Sequence, residues 1–283
     1  WLFYTSGTTG RPKGVMISAG NISSMALTYF NDVDDVTAED AILYAAPMSH
    51  GAGIYNFMHV IKGARHVVPD SHGFDADEIL GLAPKIDNVS MFAAPTMVKR
   101  LVERARAIGS NGQGIKTITY AGGPMYVADI IAAVEILGDK FVQVYGQGEC
   151  PMGITALRRG FVSDRTHPNW RARLGSVGVA QSPVLVRIGD EAGATLPWGE
   201  IGEILVSGTI VMSGYWQNPE ATAKTIQDGW LWTGDMGAMD EDGFVTLHDR
   251  SKDMIISGGS NIYPREVEEV LLELEFVAEV AVV

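Results

Sequence analysis

The segments Val89-Ser-Met-Phe-Ala93, Ile115-Lys-Thr-Ile-Thr-Tyr-Ala121 and Phe141-Val-Gln-Val-Tyr145 decide how this chain folds. Each is a short apolar run rich in β-branched and aromatic residues, the length of a strand buried on both faces. Helical periodicity fills the gaps between them. Thr96 is expected to cap Met97 to Ile108, where Val98, Leu101, Val102 and Ala105 mark one face. Val127 to Leu137 reads as a second helix, and Asp75 to Ile86, with Ile79, Leu82 and Ile86 at spacings of three and four, as a third. Strand, helix, strand, helix, strand implies right-handed crossovers and a parallel sheet covered by helices. Ligands in such sheets gather at the carboxyl ends of the strands.

Working outward, Ile42-Leu-Tyr-Ala-Ala46 reads as another strand, running into Pro47-Met-Ser-His-Gly-Ala-Gly53, and Val15 to Phe30 as a helix capped by Asn21. Gly122-Gly-Pro124 and Tyr145-Gly-Gln-Gly-Glu149 follow two of the central strands and, on composition alone, read as strand-to-helix turns. His50 is by default a turn residue. Before all of these comes Tyr4-Thr-Ser-Gly-Thr-Thr-Gly-Arg-Pro-Lys-Gly14, with three glycines, four serine or threonine hydroxyls and two cations. Glycines let the backbone approach a ligand, and successive N–H groups in such a turn make an anion-binding concavity. A P-loop NTPase would need glycine directly before a Lys-Ser/Thr pair; here Pro12 precedes Lys13 and Gly14 follows it.

Beyond Thr155 the pattern changes. Arg158 to Asn169 is polar and irregular. From Leu174 to Leu247 short strands (Val184 to Ile188, Gly202 to Val206, Gly237 to Met239, Phe244 to Leu247) alternate with Gly/Pro turns, and Asp240-Glu-Asp-Gly243 makes a hairpin. Pro264 opens a last helix whose apolar stripe is Val267, Val270, Leu271 and Leu274. The 283 residues are 46% hydrophobic and 19% charged, enough for a large core and more than one domain. A net charge of −13 argues against a nucleic-acid partner. The lone Cys150 excludes an internal disulfide and suits a reducing, cytoplasmic compartment. No apolar run reaches transmembrane length.

The Tyr4 to Gly14 string closely resembles the phosphate loop of the adenylate-forming (AMP-binding) superfamily, and at least five further motifs agree in order along the chain. The string around Asn261-Ile-Tyr-Pro-Arg-Glu-Val-Glu268 is similar to the acyl-CoA synthetase, or fatty-acid–CoA ligase, branch. The resemblance implies an α/β fold: a parallel-sheet layered large domain (1–172), a β-rich subdomain (173–249), then the hinge and the start of a small α+β C-terminal domain (250–283). It also implies that the chain is a fragment lacking both ends, with the family's adenylation lysine beyond Val283.

The roles it carries over are these. Thr5, Ser6, Gly7, Thr8, Thr9, Gly10 and Lys13 cradle the phosphates of ATP. Gly122, Gly123 and Pro124 border the adenine, Tyr145 stacks on it, and Gly146, Gln147 and Gly148 continue the nucleotide site. Glu149 holds Mg²⁺, whose preference for hard oxygen ligands suits a carboxylate. Asp235 accepts both ribose hydroxyls, Arg250 contacts the nucleotide, and Lys252 is the hinge pivot. Gly258 and Gly259 leave a passage for the CoA thiol. His50, Ala52, Gly122, Gly148 and Met152 line the acyl pocket, with His50 as its gate. The catalytic set is Lys13, His50, Glu149 and Arg250. Relatives usually carry threonine where this chain has Gly148. Cys150 has no indicated histidine partner and reads as structural.

The implied reaction is ATP-dependent acid–CoA ligation on a medium- or long-chain fatty acid, with ATP and CoA as co-substrates, no nucleic acid or transmembrane segment, and a homodimer as the oligomer to test. An aryl-acid–CoA ligase, an adenylation module loading a carrier protein, a luciferase-like oxygenase and an inactive nucleotide-binding homologue stand as the alternatives.

Overall fold

The chain opens as a hairpin in which β1 (Leu2–Thr5) pairs antiparallel with β2 (Lys13–Met16), Phe3 opposite Val15 and Thr5 opposite Lys13. The computed structural model describes residues 1–5, 12–250, 255–257, 260–272, 274, 277 and 280–282. The helix expected from Val15 therefore starts later, because the β-branched Val15 is used in strand pairing. Helix α1 (Ala19–Thr28) begins at Ser18, whose Oγ accepts from the Asn21 N–H at 3.1 Å. Asn21 is not the cap: it lies in the first turn, and its Nδ2 donates to the Thr209 and Val211 carbonyls at 2.7 and 2.9 Å. A π-helical turn, Tyr29–Val33, follows.

Two compact units divide the chain: residues 1–24, 146–155 and 176–283 form one, residues 25–145 and 156–175 the other. The second is the α/β unit. Its elements are β3 (Ala41–Leu43), α2 (Gly51–Ile54), α3 (Asn56–Lys62), β4 (Arg65–Val67), α4 (Ala76–Ile86), β5 (Val89–Ala93), α5 (Pro95–Ile108), β6 (Ile115–Tyr120), α6 (Val127–Leu137) and β7 (Phe141–Gln147). The strands run parallel in the order β4-β3-β5-β6-β7. One row across the sheet, Leu43, Met91, Ile118 and Phe141, is in register and fully buried. Helix α5 buries Val98, Leu101, Val102 and Ala105, the face its periodicity marks. Its cap is Ala94 rather than Thr96, because Pro95 occupies the first helical position, where its missing N–H costs nothing. Helix α4 is capped by Asp75, which accepts from the Glu78 N–H at 2.8 Å, and buries Ile79, Leu80 and Ala83. Buried ion pairs tie the segment after α1 to β6: Lys116 meets Asp40 at 2.5 Å, and Arg159 and Thr117 both bond Asp34.

Past β7 the chain makes a two-residue turn at Gly148 and Glu149 into β8 (Cys150–Leu157). The Tyr145 to Glu149 motif is thus a strand-to-strand turn, with Tyr145, Gly146 and Gln147 still in β7. Residues 158–169, expected to be irregular, include α7 (Arg159–Ser163), and α8 (Trp170–Gly175) follows; both belong to the α/β unit.

The other unit is β-rich: β9 (Val179–Ala180), β10 (Val184–Gly189), β11 (Gly202–Gly208), α9 (Pro219–Thr225), β12 (Ile226–Gln227), β13 (Trp230–Met239), β14 (Val245–Arg250), β15 (Ile255–Ser257), β16 (Ser260–Ile262) and α10 (Pro264–Leu271). Strands β10, β11, β13 and β12 form an antiparallel sheet in that order, with β14 also on β13. The Asp240 turn is as expected, its Oδ1 accepting from the Asp242 and Phe244 N–H groups. The strand expected over Gly237 to Met239 starts earlier, so that Trp230 to Asp235 also lies inside the ten-residue β13. Pro264 does open α10, but Val267 and Val270 of its apolar stripe are exposed. Among the described residues no helix is long and apolar enough to cross a membrane.

Candidate active site

Strand β2 has a second partner besides β1. Met16 N–H donates to Gly214 O at 2.9 Å, Ser213 N–H to Met16 O at 3.0 Å, and Trp216 N–H to Gly14 O at 2.7 Å. This pairing sets Tyr215 directly across from Val15. Gly214 makes the approach feasible: its φ is 137°, and a Cβ there would lie 2.9 Å from Thr222 Cγ2. The Asn218-Pro-Glu-Ala-Thr222 segment then fixes the tyrosine backbone. Asn218 Oδ1 caps α9 by accepting from Ala221 N–H at 3.1 Å, and Pro219 opens the helix. Helix α9 thereby presents Thr222, whose Oγ1 accepts from Tyr215 N–H at 2.9 Å. The tyrosine ring packs in an apolar cluster with Val15, Ile17 and Met212.

The tyrosine hydroxyl joins two residues that are far apart in sequence. Lys13 Nζ donates to it at 3.1 Å and lies 4.2 Å from the ring centroid, close enough for a cation–π contact. The hydroxyl donates in turn to Glu149 Oε1 at 2.5 Å. Burial, then the hydrogen bond to Glu149 and that carboxylate's charge, push the phenol well above its ordinary pKa. It stays neutral and keeps a proton to donate. Ammonium to phenol to carboxylate is therefore a consistent chain of donors. Glu149 is itself buried, and its backbone carbonyl accepts from Met212 N–H at 2.8 Å, so the backbones at both ends of the bridge are tied to the same segment, residues 212–216.

Around Glu149 the packing is close. A Cβ on Gly148 would fall 2.2 Å from Thr5 Cγ2. Cys150 is fully buried, and burial together with the neighbouring Glu149 charge raises its thiol pKa far above the ordinary value. A thiol held protonated is no nucleophile, in keeping with a structural role.

In β13 the Thr233-Gly-Asp235 motif is held by its neighbours. Thr233 Oγ1 donates to Ile204 O at 2.8 Å and accepts from Asp235 N–H at 3.1 Å. Gly234 N–H donates to Glu203 Oε1 at 2.8 Å. Burial first, and the Asp235 charge after it, raise the Glu203 pKa. Asp235 is half-buried, and its register partner across the β13–β14 pair is Arg250.

The residues expected to form one site are distributed over both units. Thr5, Lys13, Gly146, Gln147, Gly148, Glu149, Met152, Asp235 and Arg250 belong to the β-rich unit. His50, Ala52, Gly122, Gly123, Pro124 and Tyr145 belong to the α/β unit, all at or beyond the carboxyl ends of its parallel strands. There His50 is exposed and precedes α2, with Nδ1 3.0 Å from Ser49 Oγ; Ala52 and Tyr145 are buried. Ser6, Gly7, Thr8, Thr9, Gly10, Lys252, Gly258 and Gly259 lie outside the described residues. Tyr215 is the residue that sequence reasoning missed. Nothing local in Gly214-Tyr215-Trp216 connects it to Lys13 or Glu149, which lie 202 and 66 residues away.

A magnesium ion carried by a nucleotide needs few protein ligands, and those present suit it. Among the described residues no cluster of three or more His, Cys, Asp or Glu could hold a metal on its own. Glu149 offers one hard carboxylate, whose Oε1 accepts from Tyr215, and such a group would suit a magnesium ion that a nucleotide brings with it.

The family model that describes the AMP-binding enzyme matches residues 1–216. The chain belongs to the AMP-binding enzyme family. It is 37% identical over 272 residues to a feruloyl-CoA synthase of an Amycolatopsis species, covering 95% of this chain and 53% of that protein. It is 36% identical over 282 residues to the medium/long-chain-fatty-acid–CoA ligase FadD8 of Mycobacterium tuberculosis, covering 100% and 48%. Among solved structures, O-succinylbenzoate coenzyme A synthetase (MenE) of Bacillus subtilis in complex with ATP and magnesium ion matches with a TM-score of 0.85 and 35% identity, over 98% of this chain and 55% of that one. The chain spans about half the length of the curated relatives it matches. In this AMP-binding enzyme, the mixed α/β fold, with a parallel sheet and additional antiparallel sheets, agrees with that solved neighbour.

Proposed function

We propose that this chain is the nucleotide-binding part of an AMP-forming acid–CoA ligase. The observation that supports the reading most is the bridge from Lys13 through Tyr215 to Glu149, in a chain whose curated relatives join carboxylic acids to CoA. In the first half-reaction a carboxylate oxygen attacks the α-phosphorus of ATP; the bond to the bridging oxygen breaks and pyrophosphate leaves with its electron pair. In the second, the CoA thiolate attacks the acyl carbonyl and AMP departs, leaving the thioester.

The protein contributes positioning and charge neutralisation. Lys13 and the loop residues Thr5 to Gly10 hold the phosphates that leave as pyrophosphate. Glu149 would hold Mg²⁺, which when bound would supply positive charge to offset the charge growing on the phosphates. Asp235 holds the ribose, Tyr145 and Gly122 to Pro124 the adenine, and Arg250 contacts the nucleotide. His50 gates the acyl pocket with Ala52, Gly122, Gly148 and Met152. Lys252 serves as the hinge and Gly258 and Gly259 as the CoA passage. A cytoplasmic enzyme, acting as a monomer or homodimer, fits this chemistry.

Two acid classes stay in view. The small Ala52 and the relation to FadD8 favour a medium- or long-chain fatty acid, whereas the feruloyl-CoA synthase relative favours an aryl acid. The test is pyrophosphate release by the full-length protein with a panel of fatty and aryl acids, with and without CoA. Acid-dependent release followed by CoA-dependent thioester is the expected outcome. Binding of ATP with no acid-dependent release from either class would overturn the ligase reading.

A further inference from the structure

We propose that Tyr215 is a positioning residue that keeps Lys13 and Glu149 from pairing with each other and so leaves both free for Mg·ATP. The inference rests on the nucleotide-binding reading above and adds to it a residue with no assigned role. Three features carry it. The Tyr215 hydroxyl is interposed between the two charges, accepting from Lys13 Nζ at 3.1 Å and donating to Glu149 Oε1 at 2.5 Å. Its ring is walled in by Val15, Ile17 and Met212 and its backbone is tied to Thr222, so the hydroxyl cannot drift. Both charged partners are anchored beside it, Lys13 on the strand that pairs with the Tyr215 segment and Glu149 through Met212 N–H.

The consequence follows from electrostatics. An ammonium and a buried carboxylate within reach of each other attract strongly, and a direct ion pair there would neutralise the carboxylate that a divalent cation must find. It would also hold the lysine away from phosphate oxygens. The phenol prevents this by satisfying both groups through one neutral oxygen. It occupies a single carboxylate oxygen and fixes the carboxylate plane. Removing only the hydroxyl should let Lys13 close on Glu149, and the loss should be largest for Mg·ATP, which uses both charges, and smallest for AMP, which uses neither.

The experiment is calorimetric binding of Mg·ATP, of ATP with chelator and of AMP to the full-length protein, for wild type, Tyr215→Phe, Glu149→Gln and the double variant. Tyr215→Phe is expected to weaken Mg·ATP about tenfold, the scale of one hydrogen bond to a charged group. Affinity for AMP, which lacks the phosphates assigned to Lys13, should change by less than about twofold, and ATP without magnesium, which loses the lysine but has no cation for Glu149, should weaken less than Mg·ATP does. In the Glu149→Gln background, where Lys13 has no carboxylate to close on, Tyr215→Phe should add nothing. An equal loss for all three ligands, or full additivity with Glu149→Gln, would mean that the tyrosine only supports the fold and would overturn the proposal. If Tyr215→Phe melts well below wild type, Lys13→Gln supplies the second arm: with no cation to pair, Glu149 should keep its magnesium dependence, and loss of that dependence overturns the spacer role. Wild type that binds Mg·ATP but forms no acyl-adenylate overturns only the ligase reading; wild type that does not bind Mg·ATP overturns both.

Discussion

Gly148 faces Thr5 across so small a gap that any side chain at 148 would overlap it: a Cβ there would lie 2.2 Å from Thr5 Cγ2 and 3.3 Å from the Phe3 ring. The position at which the resembled family usually carries threonine is here closed by a threonine from β1. Installing the family residue should therefore harm this protein unless Thr5 yields. Gly148→Thr is expected to cost about 1–3 kcal/mol, the usual penalty of overpacking. Adding Thr5→Ser, which deletes the clashing methyl and keeps the hydroxyl, should recover most of it. Thermal melts of the single and double variants measure the coupling, and simple additivity would refute the overlap.

Glu149→Gln separates charge from shape. The amide oxygen still accepts from Tyr215, so the melting temperature should hardly move. Pyrophosphate release should fall by at least about a hundredfold, the loss typical of removing one electrostatic contact to reacting groups. Retention of wild-type turnover would remove Glu149 from the metal role.

The Tyr215 N–H depends on Thr222 Oγ1, at 2.9 Å. Thr222→Val keeps the volume and strands that donor, a change worth about 1–3 kcal/mol. The variant should melt early and also bind Mg·ATP less well, since the hydroxyl of Tyr215 is aimed by its backbone. Restored affinity at low temperature with a persistent stability loss would show that the threonine supports only the fold.

How much of this was legible in the sequence depended on distance along the chain. Val89 to Ala93 and the Val98, Leu101, Val102, Ala105 stripe were read correctly, because a buried strand and an amphipathic helix each write their period into adjacent residues. Pro95 displaced the expected cap from Thr96 to Ala94 by pre-setting the first helical turn. Val15 and Met16 looked helix-compatible because nothing local announces a strand whose second partner lies at Ser213 to Trp216. For the same reason Tyr215 went unassigned: its hydroxyl meets Glu149 at a separation of 66 residues and Lys13 at 202. The strand around Asp235 was underestimated, since glycine at 234 reads as a turn and is used here inside β13.

Acid sensitivity should trace in part to His59. Its ring is fully buried, Nδ1 donates to the Tyr55 carbonyl at 2.8 Å, and Nε2 has no hydrogen-bond partner among the described residues. Burial holds its pKa below the ordinary value of about 6.5. The folded state thus binds a proton less readily than the unfolded chain. Its contribution is full above about pH 6.5 and is lost as pH falls from there through the folded-state pKa. His59→Gln should flatten the melting-temperature profile in that window; a profile as steep as wild type would assign the acid loss elsewhere.

Glu203 offers the opposite sign, on the strand beside the proposed ribose site. Burial and the Asp235 charge raise its pKa, while the Gly234 N–H at 2.8 Å opposes them. A carboxyl whose folded pKa is raised is best accommodated when protonated. Its favourable contribution is present below the unfolded value of about 4.3 and is lost as pH rises through the folded one. Glu203→Gln keeps an oxygen for Gly234 and removes a like charge from Asp235. It should raise the melting temperature at neutral pH, with the gain shrinking toward pH 4. Asp235→Ala should relieve the same repulsion but weaken AMP and ATP alike, by about tenfold or more, because a carboxylate accepting two ribose hydroxyls makes charge-assisted hydrogen bonds. The two variants therefore part company on nucleotide binding. If Asp235→Ala binds AMP as wild type does while still gaining stability, Asp235 is a repelled neighbour of Glu203 and does not hold the ribose.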